Sequence, residues 1–164
     1  MISPRLPRLE ELVHREPLLK VFSHLSLLEG VSHDALLSLF VAAEEHMVRK
    51  GQVVVREGEQ GKHLFVVGKG SVEVVRGLGT PTQTVLARLG HNKFFGDMCI
   101  IEPIVRTASI VALQTSFLYA ISSSSLNKLY QVWPDQHTII MRNLARQLAK
   151  RIEVLDPDFP ARAL

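Results

Sequence analysis

The chain has 164 residues, 46% of them apolar and 21% charged, which is the composition of one globular domain with a core of its own. Nineteen Lys and Arg stand against sixteen Asp and Glu, and a formal charge of +3 is too weak a field to imply sequence-independent binding to nucleic acid. The single cysteine, Cys99, excludes a disulfide framework and a thiolate zinc site within one chain, and points to the reducing cytosol.

The first 17 residues hold three of the eight prolines and read as a lead-in, with a short helix near Leu9–Arg15. Pro and charge stand there where a signal peptide needs an apolar stretch, and no later run reaches the roughly 18 apolar residues of a membrane span. Leu18 to Leu28 has helical spacing through Leu18, Phe22 and Leu25, and Gly30 ends it. Ser32 reads as the N-cap of a second helix over Asp34–Glu45.

The pattern changes at Lys50. Short β runs follow at Gln52–Arg56, Leu64–Val67, Ser71–Arg76, Thr84–Leu89, Thr107–Ala112 and Phe117–Ile121. Nine of the ten glycines fall in this stretch, as expected of antiparallel strands joined by tight turns into a sandwich or barrel. The helical period then returns. Ser122–Ser125 offers capping hydroxyls for a helix over Leu126–Val132, and Trp133-Pro134-Asp135 breaks it, with Asp135 as the next N-cap. A longer helix runs from Gln136 to about Val154. It carries an apolar stripe (Ile140, Leu144, Leu148, Ile152) beside a basic one (Arg142, Arg146, Lys150), which reads as a solvated face or a contact for an acidic partner.

The stretch FFGDMCIIEPIVRTASIVA carries the chemistry. Gly96-Asp97 precedes one apolar helical turn, Met98 to Ile101, whose start presents free backbone N–H groups. Arg106 lies beside an apolar strand, where a guanidinium needs an anion. A helix start with an arginine suits a phosphate, and a nearby carboxylate suits a sugar hydroxyl. The same residues also allow a structural ion pair of Arg106 with Asp97 or Glu102.

Three motifs extend the first of these readings. KGQVVVREGEQGKHLFVVGKGSVEV, FFGDM…VRTASIVA and the closing Trp133-Pro134 with its long helix resemble a cyclic nucleotide-binding domain. This is the module of catabolite-activator regulators, kinase regulatory subunits and cyclic nucleotide-gated channels. The resemblance runs from about Leu18 to Ile152. It implies an α+β, mostly β fold: an antiparallel β-roll, or jelly roll, flanked by N-terminal helices and a C-terminal hinge and lid helix. The domain is expected over residues 18–155, between the lead-in at 1–17 and a tail at 156–164.

The resemblance also implies roles. The phosphate-binding arginine falls on Arg106, the ribose-binding acid on Asp97 and the cassette glycine on Gly96. Backbone N–H donors fall near Met98 and Cys99. Thr107 occupies the position whose hydroxyl contacts a purine, and the base-capping residue falls on Arg151, with Gln147 second. Asp97 replaces the usual glutamate and is shorter by one carbon, roughly 1.5 Å of reach. The His91-Asn92-Lys93 turn replaces the usual Pro-Gly-Asp and brings charge near the mouth of the site.

The implied function is non-enzymatic: a cytoplasmic sensor of cyclic AMP or cyclic GMP, with no cofactor or metal, that signals to a protein effector through its C-terminal helices. The alternative is an interaction module of the same fold in which Asp97 pairs with Arg106 and no nucleotide binds. A metal-dependent cupin is set aside because it needs a strand histidine pair with a carboxylate, and no histidine pair has ligand spacing. Direct DNA binding is not expected, since about a dozen residues follow Ile152 and two of them are proline. The long helix also offers a surface for a homodimer.

Overall fold

The computed structural model describes residues 16–102 and 104–155. The short helix expected near Leu9–Arg15 and the tail at 156–164 lie outside the described residues. Among the described residues four α-helices frame ten strands: α1 (Glu16–Ser23), α2 (His33–Val41), α3 (Ser123–Val132) and α4 (Pro134–Leu155). The strands are β1 (Glu44–Val48), β2 (Val53–Val55), β3 (Gln60–Gly61), β4 (His63–Lys69), β5 (Val72–Arg76), β6 (Thr84–Leu89), β7 (Phe94–Phe95), β8 (Ile104–Val105), β9 (Ser109–Ala112) and β10 (Ser116–Ser122). All pairings are antiparallel. One sheet has the order β1-β10-β4-β7, the second β2-β9-β5-β6, and β3 pairs with β8 alone. This is the β-roll with flanking helices that the resemblance implies. β structure dominates the roll, while helix is the larger share of the described residues as a whole.

Two apolar clusters result from the two-residue period of β4. Its odd residues Phe65 and Val67 face into the roll and meet Val55, Val72 and Ile110 from the opposite sheet. Its even residues Leu64 and Val66 face outward and are covered by helices, in a cluster with Phe22, Phe40, Leu126, Ile140 and Leu144. The central strand is therefore buried on both faces, which explains why LFVV is apolar without alternation. Phe22 meets Phe40 edge to face at 6.3 Å and ties α1 to α2.

The helix starts follow capping rules. The Ser32 hydroxyl accepts from Ala35 N–H, and the Ser122 hydroxyl from Ser125 N–H at 3.1 Å, so α3 begins earlier than the apolar spacing alone implies. Asp135 is not the N-cap of the last helix. Helix α4 begins at Pro134, where the missing N–H costs nothing, and Asp135 adds favourable charge to the first turn. The helix expected over Leu18–Leu28 instead runs Glu16–Ser23, and Ser26–Leu28 forms a separate 3-10 turn.

The front of α4 is anchored to that turn. Asn143 is buried, and its amide donates to Leu27 O at 3.1 Å and Glu29 O at 2.8 Å. Gln136 Oε1 accepts from Ser32 N–H at 2.7 Å. Ile140 and Leu144 are fully buried against the roll and the N-terminal helices. No helix among the described residues is long and apolar enough to cross a membrane.

Candidate ligand-binding site

Two short segments build the site. The first is β7 with the turn after it. Gly96 has φ +78°, in the left-handed region, and starts a 3-10 turn over Asp97–Ile100 rather than the α-helical turn that the apolar run suggests. A Cβ on Gly96 would run into Arg106 Nη1 and the His63 carbonyl, so glycine is needed for space as well as for φ. The turn leaves the N–H groups of Asp97 and Met98 without an acceptor inside it. Cys99 N–H is already given to Gly96 O at 3.3 Å, so the free donors lie one residue earlier than the expected pair Met98 and Cys99.

The second segment is β8 and the residues after it. Arg106 is held by its own backbone: its N–H donates to Glu59 O at 2.8 Å, and its carbonyl accepts from Gly58 N–H at 2.9 Å. The EGE turn of the sequence therefore positions the arginine. Glu59 also folds back to accept from Arg56 N–H at 3.0 Å. The half-buried Arg106 side chain donates Nη2–H to His63 O at 2.7 Å and lies 5.9 Å from the centre of the Phe65 ring. It has no carboxylate partner among the described residues. Burial pushes its pKa below the ordinary guanidinium range, while Cys99, Glu59 and Asp97 pull the other way. A guanidinium remains charged under such a shift and keeps N–H groups to spare for an anion.

Asp97 does not pair with Arg106, and neither does Glu102. The Asp97 carboxylate, 6% exposed, accepts from Nη1 of Arg151 at 2.9 Å. Arg151 comes from the far end of α4 and is 48% exposed. The structural ion pair between Asp97 and Arg106 is therefore absent, and the lid helix supplies the cation instead. This removes the contact on which the nucleotide-free alternative was built.

These residues line a cavity of about 310 Å³, within the range of small-molecule pockets. Gly96, Asp97, Met98, Arg106, Thr107 and Arg151 all reach it. Cys99 does not line it. The thiol is buried, and burial pushes its pKa up, so it remains a neutral, small apolar group behind the turn. Gln147 and the His91-Asn92-Lys93 turn do not line the cavity either. That turn is tied to β4 through Asn92 N–H to Val67 O at 3.0 Å, and His91 Nδ1 stands 2.6 Å from Gly68 O. The remaining walls are mostly apolar, among them Val55, Val74, Ala87, Leu89 and Ile110 of the β2-β9-β5-β6 sheet. No cluster of residues that could hold a metal ion occurs among the described residues.

The sequence that builds this turn and this arginine matches a family model. The description of that model is cyclic nucleotide-binding domain, and it matches residues 45–132, more than half of the sequence. The chain belongs to this family. Over 88 residues the cyclic nucleotide-binding domain is 32% identical to cGMP-dependent protein kinase 2 of Homo sapiens, covering 53% of this chain and 12% of the kinase. Over 131 residues it is 23% identical to a CRP-like cAMP-activated global transcriptional regulator of Mycobacterium tuberculosis, covering 80% of this chain and 58% of the regulator. It thus spans about an eighth of the kinase and somewhat more than half of the regulator. Among solved structures it is similar to the N-terminal domain of a transcriptional regulator from Streptomyces coelicolor A3(2), with a TM-score of 0.72, 27% identity, and coverage of 80% of this chain and 94% of that one.

Three contributors carry no sequence signal. His63 acts through its backbone carbonyl, so its side chain does not mark the role. Phe65 looks like any core residue of β4. Gly61 has no positive φ and is small for another reason: a Cβ there would stand 3.0 Å from both Arg106 Cζ and Ile104 O. Only the pairing of β3 with β8 reveals that this glycine makes room for the arginine.

Proposed function

We propose that this domain is a sensor of a cyclic nucleotide, cyclic AMP or cyclic GMP. The cyclic phosphate is held by Arg106 and by the N–H groups of Asp97 and Met98. Asp97 accepts from the ribose hydroxyl through the oxygen that Arg151 leaves free. The purine lies against Val74, Ala87 and Leu89, with Thr107 as its polar neighbour, while Arg151 stays on Asp97. The protein supplies binding and orientation and performs no reaction on the ligand. Ligand favours the state in which the end of α4 is docked, and the changed position of α4 is what a protein effector reads. The exposed apolar end of α4 is also the surface for any homodimer.

One observation carries this reading. Arg106 is half buried, pairs with a backbone carbonyl but no carboxylate, and faces a cavity. A desolvated guanidinium without a counter-ion calls for an anionic ligand. The names of the relatives support both nucleotides, one being a cGMP-dependent kinase and the other a cAMP-activated regulator.

Thermal unfolding followed during titration tests it. A ligand at a hundred times its dissociation constant adds roughly 2.7 kcal/mol of stability, and Arg106→Ala is expected to remove the gain. The stronger of the two nucleotides identifies the ligand. Absence of any shift with either nucleotide at millimolar concentration overturns the proposal.

A further inference from the structure

We infer that Arg151 keeps the empty site open by holding Asp97 away from Arg106. The inference rests on the nucleotide reading above and concerns a residue that acts before the ligand arrives.

Asp97 and Arg106 carry opposite charges and line one cavity. Asp97 is 4% exposed, so its carboxylate has lost most of its water and requires a cation. Two guanidiniums reach the cavity, and the carboxylate bonds to Arg151 at 2.9 Å. Arg106 points its Nη2–H at the His63 carbonyl instead. The two partners thus stay apart although Asp97 acts on the Arg106 charge from across the site.

Without the Arg151 guanidinium, the remaining cation on the cavity wall is Arg106. The carboxylate then turns to it. One movement neutralises the phosphate donor and withdraws the ribose acceptor. Arg151 is a positioning residue in this sense: it acts through Asp97, not on the purine. Its place on α4 adds a consequence. The cation reaches Asp97 only when the end of the helix is docked, so lid position and the openness of the cassette are linked.

The experiment is a double-mutant cycle, with affinities for cyclic AMP and cyclic GMP measured by calorimetry on the whole chain. Asp97→Asn removes the ribose acceptor but leaves Arg106 free. Arg151→Ala is expected to bind more weakly than Asp97→Asn, by about tenfold or more. The double variant should regain affinity and match Asp97→Asn, because no carboxylate is left to occupy Arg106. Arg151→Lys should retain most of the wild-type affinity, since it keeps a cation on the same helix turn. A double variant as weak as Arg151→Ala, or weaker, overturns the inference and places Arg151 on the ligand itself. Unchanged affinity in Arg151→Ala overturns it as well. Failure of the unmodified chain to bind either nucleotide is a separate outcome, which brings down the nucleotide reading and this inference with it.

Discussion

The two halves of α4 are held by different forces. In the front half Ile140 and Leu144 are buried and Asn143 is bonded to two carbonyls of the N-terminal segment. In the back half Ile152, Val154 and Leu155 are 42%, 81% and 84% exposed, and the polar tie to the roll is the Arg151–Asp97 pair. Apolar burial is strong and independent of charge, whereas a half-exposed ion pair is weak and screened by salt. The front half is therefore an anchor. The back half is the part that a ligand at Asp97 can reposition at low energetic cost.

The largest test of this contrast is Ile140→Ala. A cavity at that point should lower stability by roughly 2–5 kcal/mol in denaturant unfolding, whereas Ile152→Ala should stay within about 0.5 kcal/mol. Similar losses at both positions would end the distinction. Asn143→Ala comes next, because it leaves the Leu27 and Glu29 carbonyls short of a buried donor. About 2–3 kcal/mol of stability should be lost, with no direct effect on the cassette.

Arg151→Ala sharpens the comparison from the other side. Its effect on stability should be at most about 1 kcal/mol, since the arginine is half exposed and Asp97 finds a second cation. Amide exchange should show the same asymmetry, slow over 140–147 and fast beyond 150, with ligand slowing the second segment first. The smallest effect concerns pH. Burial holds His137, in the first turns of α4, below its ordinary pKa of 6.5. A lowered folded pKa favours the neutral ring, so its contribution is complete above pH 6.5 and is lost as pH falls through the folded value. His137→Gln should flatten the acid side of the stability profile, and an unchanged profile would remove His137 from the account.

The misreadings of the sequence have physical causes. The helix expected over Asp34–Glu45 ends at Val41, and its last two residues instead open β1 (Glu44–Val48), which pairs with β10 from Glu44↔Ala120 to Val48↔Ser116. Four of its five residues are exposed, so no alternating apolar pattern marks it, and the strand exists because a neighbour offers it a ladder. Strands β3, β7 and β8 have two residues each, too few for any period to show. The other six strands were legible from their apolar and β-branched runs, with glycines marking the turns around β2, β4, β5 and β6.

Within the site, Gly96, Asp97 and Arg106 were legible because a motif sets them close together along the chain. Arg151 was legible only as a candidate on a helix. Its partner stands 54 positions earlier, and no local spacing joins them.

The chain by itself determined the roll, its flanking helices and the charged groups of one segment, since hydrophobic period, glycine and motif are local properties. The pairing of those charges was decided by tertiary structure. Asp97 had two cations within its reach, and the docking of α4 gave it the one from the lid, leaving Arg106 with a carbonyl and an open cavity. Which opposite charges meet depends on where distant elements pack, and no spacing along the chain encodes that.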